Sequence, residues 1–381
     1  SRSFLDYHEV QTPAQMDRFL KRFNSAYQRW RKREAFSVRN IGSAQVQAPP
    51  NWQELWDEYA RRIETSRRQR DGTLLPPSHV QFMDQVPVFR EAVGRVTLAR
   101  RGSRDTRVRT AGLEKERATA AIHWDGDGNL QGLGMTFHGA APVLGKKTRV
   151  GTVAHELQNR ESFGYPRGVL LSCNATAWYK EPQVTHTMRI FKFAKQRRAA
   201  EWPAGKPRPS PESLTIVDDY KHHKSKQFKD GCDELDSRLE LVHGRMTAIE
   251  QVGDRAPHRI AKSYYQLFRD AWTLQQVPDP TTGKLQKPTR ALSAKWMRDA
   301  VEAVPPRIIC RAAVATRTLR PEDYSIELQK KYKLHELAGG KVPFEAGKHV
   351  VDDPELLAQL DGYHSSSEDE EWLHHEETPH H

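Results

Sequence analysis

The sequence predicts an α+β protein: N-terminal helices, a small central antiparallel β domain of barrel-like form, a C-terminal helical hairpin region and an acidic tail. Three observations carry this. Apolar residues step by three and four through residues 12–36 and from residue 52 to 63, the period of a half-buried helix. Between about 93 and 194, short β-prone runs alternate with glycine-containing turns. Beyond 215 the helical period returns. The expected divisions are 1–90 (amphipathic helices), 91–200 (antiparallel β domain), 201–215 (proline-rich linker), 216–350 (helical domain) and 351–381 (acidic, His-rich tail).

The first helix opens on Thr12, Pro13 and Gln15, which fit the N-cap, first and third positions of a capping box. Met16, Phe19, Leu20, Phe23, Tyr27 and Trp30 form its apolar stripe. The second begins near Asn51 with Glu54 at the third position, and buries Trp52, Leu55, Trp56, Tyr59 and Ile63. Asp71-Gly72 and Pro76-Pro77 break the chain after it. Strands are expected at 93–99, 119–124, 132–138, 149–154, 168–172 and 185–194. The clearest hairpin is AAIHWDGDGNLQGLGMTFHG, with residues 125–129 as its turn. The segment EWPAGKPRPSPESLT then reads as linker. Leu235, Leu239, Val242, Met246 and Ile249 step by four and three like a two-heptad seam. Ile260, Tyr264, Tyr265, Phe268 and Trp272 follow Gly253-Asp254, so an antiparallel helical hairpin is predicted, with further helices at 293–304 and 321–337.

A chain of 381 residues with 37% hydrophobic residues can bury a substantial core across two or three domains. Its mean hydropathy of −0.79 and 29% charged residues suit a surface used on polar partners. The formal charge of +11 is uneven: residues 352–381 carry ten acidic and no basic side chains, leaving +21 for the remainder. Residues 1–120 hold 20 Arg among 23 basic side chains, against 14 acidic ones. Guanidinium groups pair bidentately with phosphate and stack on bases, so this excess points to nucleic acid. Cys173, Cys232 and Cys310 are widely spaced, which argues against a disulfide scaffold or Cys-rich zinc site and fits a reducing compartment. No apolar run of 18 residues predicts a membrane span.

Motifs for catalysis fail one by one. Asp125-Gly126-Asp127-Gly128-Asn129 resembles a calcium loop, but Leu130 stands where glycine is needed and Thr136 where a bidentate Glu belongs. His8-Glu9, His155-Glu156 and His335-Glu336 lack a second His four positions after the first. Gly145-Lys146 and Gly347-Lys348 lack the earlier glycine of a phosphate loop, and no GxSxG elbow occurs. His222, His223 and Cys232 make an incomplete metal set. The expectation is therefore no catalytic residue, no metal site, no cofactor and no enzyme.

What remains is basic and aromatic patterning. In RIFKFAKQRR, residues 189–198, a strand would put Phe191 and Phe193 on one face as anchors, with Lys192 on the other. Candidate RNA-binding residues are Arg29, Arg31, Lys32 and Arg33; Arg61, Arg62, Arg67, Arg68 and Arg70; Arg100, Arg101 and Arg104; Lys192, Lys195, Arg197 and Arg198; and Lys221, Lys224 and Lys226. A sequence-specific DNA reader concentrates charge on one recognition element, whereas scattered patches suit contact with folded RNA at many phosphates.

The start SRSFLDY, the patches RRIETSRRQR and RIFKFAKQRR, and the tail segment SSSEDEEWLHHEE together resemble lineage-specific mitochondrial ribosomal proteins. The resemblance implies a structural rRNA-binding component or assembly factor in the mitochondrial matrix, imported on a removed transit peptide and packed against neighbouring proteins. The alternatives carried beside it are a protein–protein assembly subunit of an organellar complex, through the 235–249 seam and the tail, and a capsid protein.

Overall fold

The computed structural model describes residues 36–40, 49–90, 96–100, 117–141, 148–205, 208–277, 280–281 and 286–337. In chain order the strands are β1 (Phe36–Asn40), β2 (Val80–Phe89), β3 (Val96–Arg100), β4 (Arg117–Asp125), β5 (Leu130–His138), β6 (Val169–Asn174), β7 (Ser213–Val217) and β8 (Ser237–Leu241). The helices are α1 (Trp52–Arg67), α2 (Val153–Gln158), α3 (Glu181–Glu201), α4 (Lys226–Glu234), α5 (Thr247–Glu250), α6 (Val252–Arg255), α7 (Pro257–Leu274), α8 (Arg290–Glu302), α9 (Pro306–Ala315) and α10 (Ile326–Lys331). The chain forms two units. One, of residues 1–44 and 92–112, contains the antiparallel pair β1 and β3; the other, of residues 45–91 and 113–381, contains all the remaining elements. The expected helix at 12–36 lies outside the described residues apart from Phe36, which starts β1. The tail lies outside them altogether.

The larger unit is built on a six-stranded sheet in the order β6-β5-β4-β2-β7-β8. β2, β4 and β5 form an antiparallel meander, while β7 and β8 run parallel to β2, and β6 runs parallel to β5. The mixed α+β class is as expected, but the sheet is open and no barrel closes. Parallel neighbours need crossovers, supplied here by α2 before β6 and α4 before β8. Hydrophobic alternation does not reveal strand direction, so the sequence could not separate the two designs.

Each face of the sheet is covered. Phe82, Val86 and Val88 of β2, Ala120, Ile122 and Trp124 of β4, and Leu214 and Ile216 of β7 join one large core with Trp56, Tyr59 and Ile63 of α1 and with α7, α8 and α9. Met83, Ala121 and Val217 face the opposite way into a smaller core with Val184 and Phe191 of α3 and Phe228 and Cys232 of α4. This is the two-residue period of a doubly covered sheet. Among the described residues, no helix is long and apolar enough to cross a membrane.

Several expected elements change type. Residues 185–194 belong to helix α3: Val184, Thr187, Ile190, Phe191, Ala194 and Arg198 are buried at steps of three, one and four. Its start is fixed by the Lys180 N–H donating to Gln183 Oε1 (3.0 Å) and by Pro182 in the first turn. Phe193, expected beside Phe191, is instead 63% exposed. The stretch 149–154 leads into α2, whose N-cap Thr152 accepts the His155 N–H at 3.3 Å. The seam at 235–249 is no helix, because left-handed backbone at Asp236 (φ 53°) and Arg245 (φ 65°) interrupts it on both sides of β8. The helical hairpin is lost with it. The expected hairpin turn at 125–129 is present: Asp125 Oδ1 accepts the Asn129 N–H at 2.8 Å, and Gly128 takes φ 86°.

Candidate metal centre

β2 reads VQFMDQVPVF, an apolar strand with one carboxylate in its middle. Asp84 shares a face with Phe82 and Val86, so the strand that fills the core also drives a carboxylate into it. The side chain is 7% exposed. Its Oδ1 accepts the Gln85 N–H at 2.6 Å, and its Oδ2 has no hydrogen-bond partner. The parallel register pairs Phe82 with Ile216. Continued by two residues, that register brings Asp84 level with Asp218, just past the end of β7.

A third carboxylate comes from α6. Asp254 is 5% exposed at its side chain, and its Oδ2 has no hydrogen-bond partner. Four residues on, at the start of α7, His258 is 3% exposed and aims Nδ1 at both acids, 3.2 Å from Asp84 Oδ2 and 3.3 Å from Asp254 Oδ1. Its Nε2 is also unpartnered. Gly253 makes the approach possible. A Cβ there would stand 2.5 Å from His258 Cε1 and 3.0 Å from Asp84 Oδ2, so any side chain would fill the space between the acids and the imidazole.

Asp218 is held from the other side of the sheet. His223 is fully buried, and its Nδ1 lies 2.5 Å from Asp218 Oδ1 while Gln85 Nε2 meets its Nε2 at 3.0 Å. Asp218 remains 26% exposed, the open side of the cluster. Its neighbour Asp219 points elsewhere and pairs with Lys224 at 3.1 Å.

The electrostatics are those of a site short of positive charge. Burial pushes the Asp84 carboxyl well up, and the nearby charges of Asp254 and Asp218 add to that while His258 opposes it. Burial also raises Asp254; Lys262 pulls it down and Asp218 pushes it up. Burial holds the His258 imidazole neutral, lowered to about 4. Among the described residues, Asp84, Asp254 and His258 form a set whose ligand atoms all lie within 4.8 Å of one another. Orphaned buried oxygens are costly, and clustered carboxylates repel. A divalent cation would relieve both, so these residues fit an oxygen-ligated metal.

The sequence pointed to none of these three acids. They sit far apart in the chain, and no local spacing marks them. The available signals were a lone Asp inside an apolar strand and an Asp-Asp pair closing the apolar run SLTIV. The residues His222, His223 and Cys232, read from sequence as an incomplete metal set, are not brought together as one: His223 orients Asp218, and Cys232 packs in the smaller core. The close set of possible ligands is instead Asp84, Asp254 and His258, where none was expected.

The basic residues singled out from sequence fall into different settings. Arg67 is buried, donating to Asp323 at 2.6 Å and to the Leu75 carbonyl at 2.9 Å. Arg198 is buried beside Glu212 (3.8 Å), which also takes Lys195 (3.0 Å). Arg62 pairs with Glu240 at 2.8 Å, Arg68 with Glu64 at 3.2 Å, and Lys226 with Asp230. Arg61, Arg70, Lys192, Arg197 and Lys221 are exposed, with Arg197 donating to Gln131 and Arg61 to the Asp57 carbonyl. Arg100 lies in β3, and Arg29, Arg31, Lys32, Arg33, Arg101 and Arg104 lie outside the described residues.

No family model matches the chain. Among curated proteins, the human "Pogo transposable element with KRAB domain" is 20% identical over 277 residues, 72% of this chain and 41% of that protein. The mouse protein of the same name is 20% identical over 247 residues, 65% and 36% respectively. The chain thus spans less than half the length of these relatives. Among solved structures, the Mos1 transposase paired-end complex with left transposon end aligns over 88% of this chain and 77% of its own, at 10% identity and a TM-score of 0.35. The catalytic domain of Mos1 mariner transposase aligns over 78% and 98%, at 10% identity and 0.35. The curated relatives are transposable-element proteins, which overturns the resemblance to mitochondrial ribosomal proteins. The rRNA partner it implied is corrected with it, as are the alternatives of an assembly subunit or a capsid and the expectation, drawn from failed motifs, of no enzyme.

Proposed function

We propose that this chain is a divalent-metal-dependent enzyme that cuts DNA strands in the manner of a transposase, with Asp84, Asp218 and Asp254 as its metal-holding carboxylates. The observation that carries this is the convergence of Asp84 and Asp254, each with an unpartnered buried oxygen, on one imidazole, with Asp218 close enough for its charge to act on both. The likeness to curated proteins named as a transposable element supports DNA as the substrate.

A bound divalent cation would supply Lewis-acid polarisation of a phosphodiester and a water of lowered pKa. The protein's own part is to place and orient. The sheet fixes Asp84 within β2 and Asp218 just beyond the neighbouring β7, and α6 brings Asp254 up to Asp84. The Gln85 N–H fixes one Asp84 oxygen and leaves the other for the ion. His223, itself held by the Gln85 amide, fixes one Asp218 oxygen. The cluster opens at Asp218, and the exposed Lys221 and Lys224 follow in the same loop, where a phosphate backbone would pass. The excess positive charge favours that approach and makes it salt-dependent.

The test is strand nicking of supercoiled plasmid by the full chain with manganese or magnesium. Asp84→Asn and Asp254→Asn are expected to abolish nicking while retaining the wild-type mobility shift of duplex DNA. Nicking by Asp84→Asn at the wild-type rate would refute the assignment.

A further inference from the structure

We infer that His258 is itself a ligand of the cation held at this centre, through Nδ1, and that it turns the site toward borderline transition metals such as cobalt(II) or zinc and away from magnesium and calcium. The inference rests on the metal-dependent reading above and adds to it a nitrogen ligand and a metal preference.

The geometry is specific. One ring nitrogen faces carboxylate oxygens from two separate elements, at 3.2 and 3.3 Å. A single N–H can serve one of them, and it is aligned with Asp254 Oδ1, which leaves Asp84 Oδ2 without a partner. A cation among the three atoms satisfies all of them at once, with the ring hydrogen moved to Nε2. The ring cannot swing away, since Trp124 packs against it with centroids 5.6 Å apart and the space on its other edge is the one a Gly253 side chain would occupy. His258 is 3% exposed, so solvent does not compete for the nitrogen.

The ligand chemistry then sets selectivity. Magnesium and calcium take oxygen ligands and gain little from an imidazole, whereas zinc, iron and nickel accept it readily. A centre of carboxylates alone would favour the hard ions; one imidazole in place of a water shifts it.

The experiment measures ion binding in the full chain by calorimetry, with cobalt(II) and magnesium chlorides as probes, and the visible absorption of the cobalt complex. The variants are His258→Asn, whose amide can still donate to Asp254, and His258→Gln, with Asp84→Asn as reference. Thermal unfolding in chelator establishes that each is folded. Cobalt affinity is expected to fall at least about tenfold in both His258 variants, the lower bound of what losing even an outer-shell partner costs. Magnesium affinity should change far less, and the cobalt band should shift. Equal losses for both ions, or no loss, would overturn the ligand role while leaving the carboxylate centre intact. Unchanged affinity for both ions in Asp84→Asn would instead overturn the metal-dependent reading itself.

Discussion

Phe82 and Asp84 stand two residues apart on the same face of one strand, and they divide the labour of the fold: the phenyl ring fills the large core, and the carboxylate is held in the edge of that core with one oxygen unpartnered. The residue that protects this arrangement is Gly253. Gly253→Ala would push His258 or Asp84 aside, and displacements near 1 Å in a catalytic constellation cost about 100-fold in rate. Nicking should therefore drop by about that factor, with an overpacking cost of about 1–3 kcal/mol in urea unfolding. Arg67 serves stability. Removing it takes the buried partner from Asp323, which keeps only the Arg320 N–H (2.7 Å) and the half-exposed Arg320 side chain (3.6 Å), so Arg67→Ala should cost about 1–3 kcal/mol while leaving DNA affinity nearly unchanged. If Arg67 contacted nucleic acid, stability would hold and binding would weaken. His123 gives a pH signature. It is fully buried against Phe191, and burial lowers it to about 3 from an ordinary 6.5. The unfolded chain binds that proton more readily, so the stability His123 permits is complete above pH 6.5 and is lost as pH falls toward 3. At pH 5 the loss is about 2 kcal/mol. His123→Leu should flatten this acid limb in unfolding curves measured at pH 7 and 5.

Helix α3 is where sequence periodicity misled at the scale of an element. Phe191 and Phe193 are two apart, which in a strand gives one shared face and in a helix roughly opposite ones. The structure buries the first and exposes the second. Phe191→Ala is thus expected to cost about 3–5 kcal/mol, and Phe193→Ala no more than about 0.5 kcal/mol; comparable losses at both would restore the strand. The antiparallel hairpin β4–β5 was legible because its turn is written in adjacent residues, with Asp125 capping it and Gly128 in left-handed backbone. Helix α1 was legible for a similar reason, since its stripe of Trp52, Leu55, Trp56, Tyr59 and Ile63 is long and regular. Strands β7 and β8 were not. One lies in a proline-rich stretch read as linker, and the other carries leucines whose spacing imitates a heptad seam.

For the molecule as a whole, a cation that binds the folded centre and not the unfolded chain must stabilise the fold, by about 2.7 kcal/mol at 100 times its dissociation constant. Cobalt or manganese should raise the melting temperature of the wild-type chain and leave that of Asp84→Asn unmoved; an equal rise in both would place the binding elsewhere. The amino-acid sequence alone determined the mixed α+β class, the second helix, the central hairpin and a surplus of positive charge, because each is set by neighbouring residues or by composition. The carboxylate centre was decided by tertiary structure. Asp254 meets Asp84 when a short helix packs against β2, and Asp218 comes near them when β7 pairs in parallel beside β2. Parallel pairing is a contact between distant segments, with no turn to announce it. Which of the many basic side chains face solvent and which are spent on the protein's own acids was settled the same way, by partners that lie distant in the chain and adjacent in space.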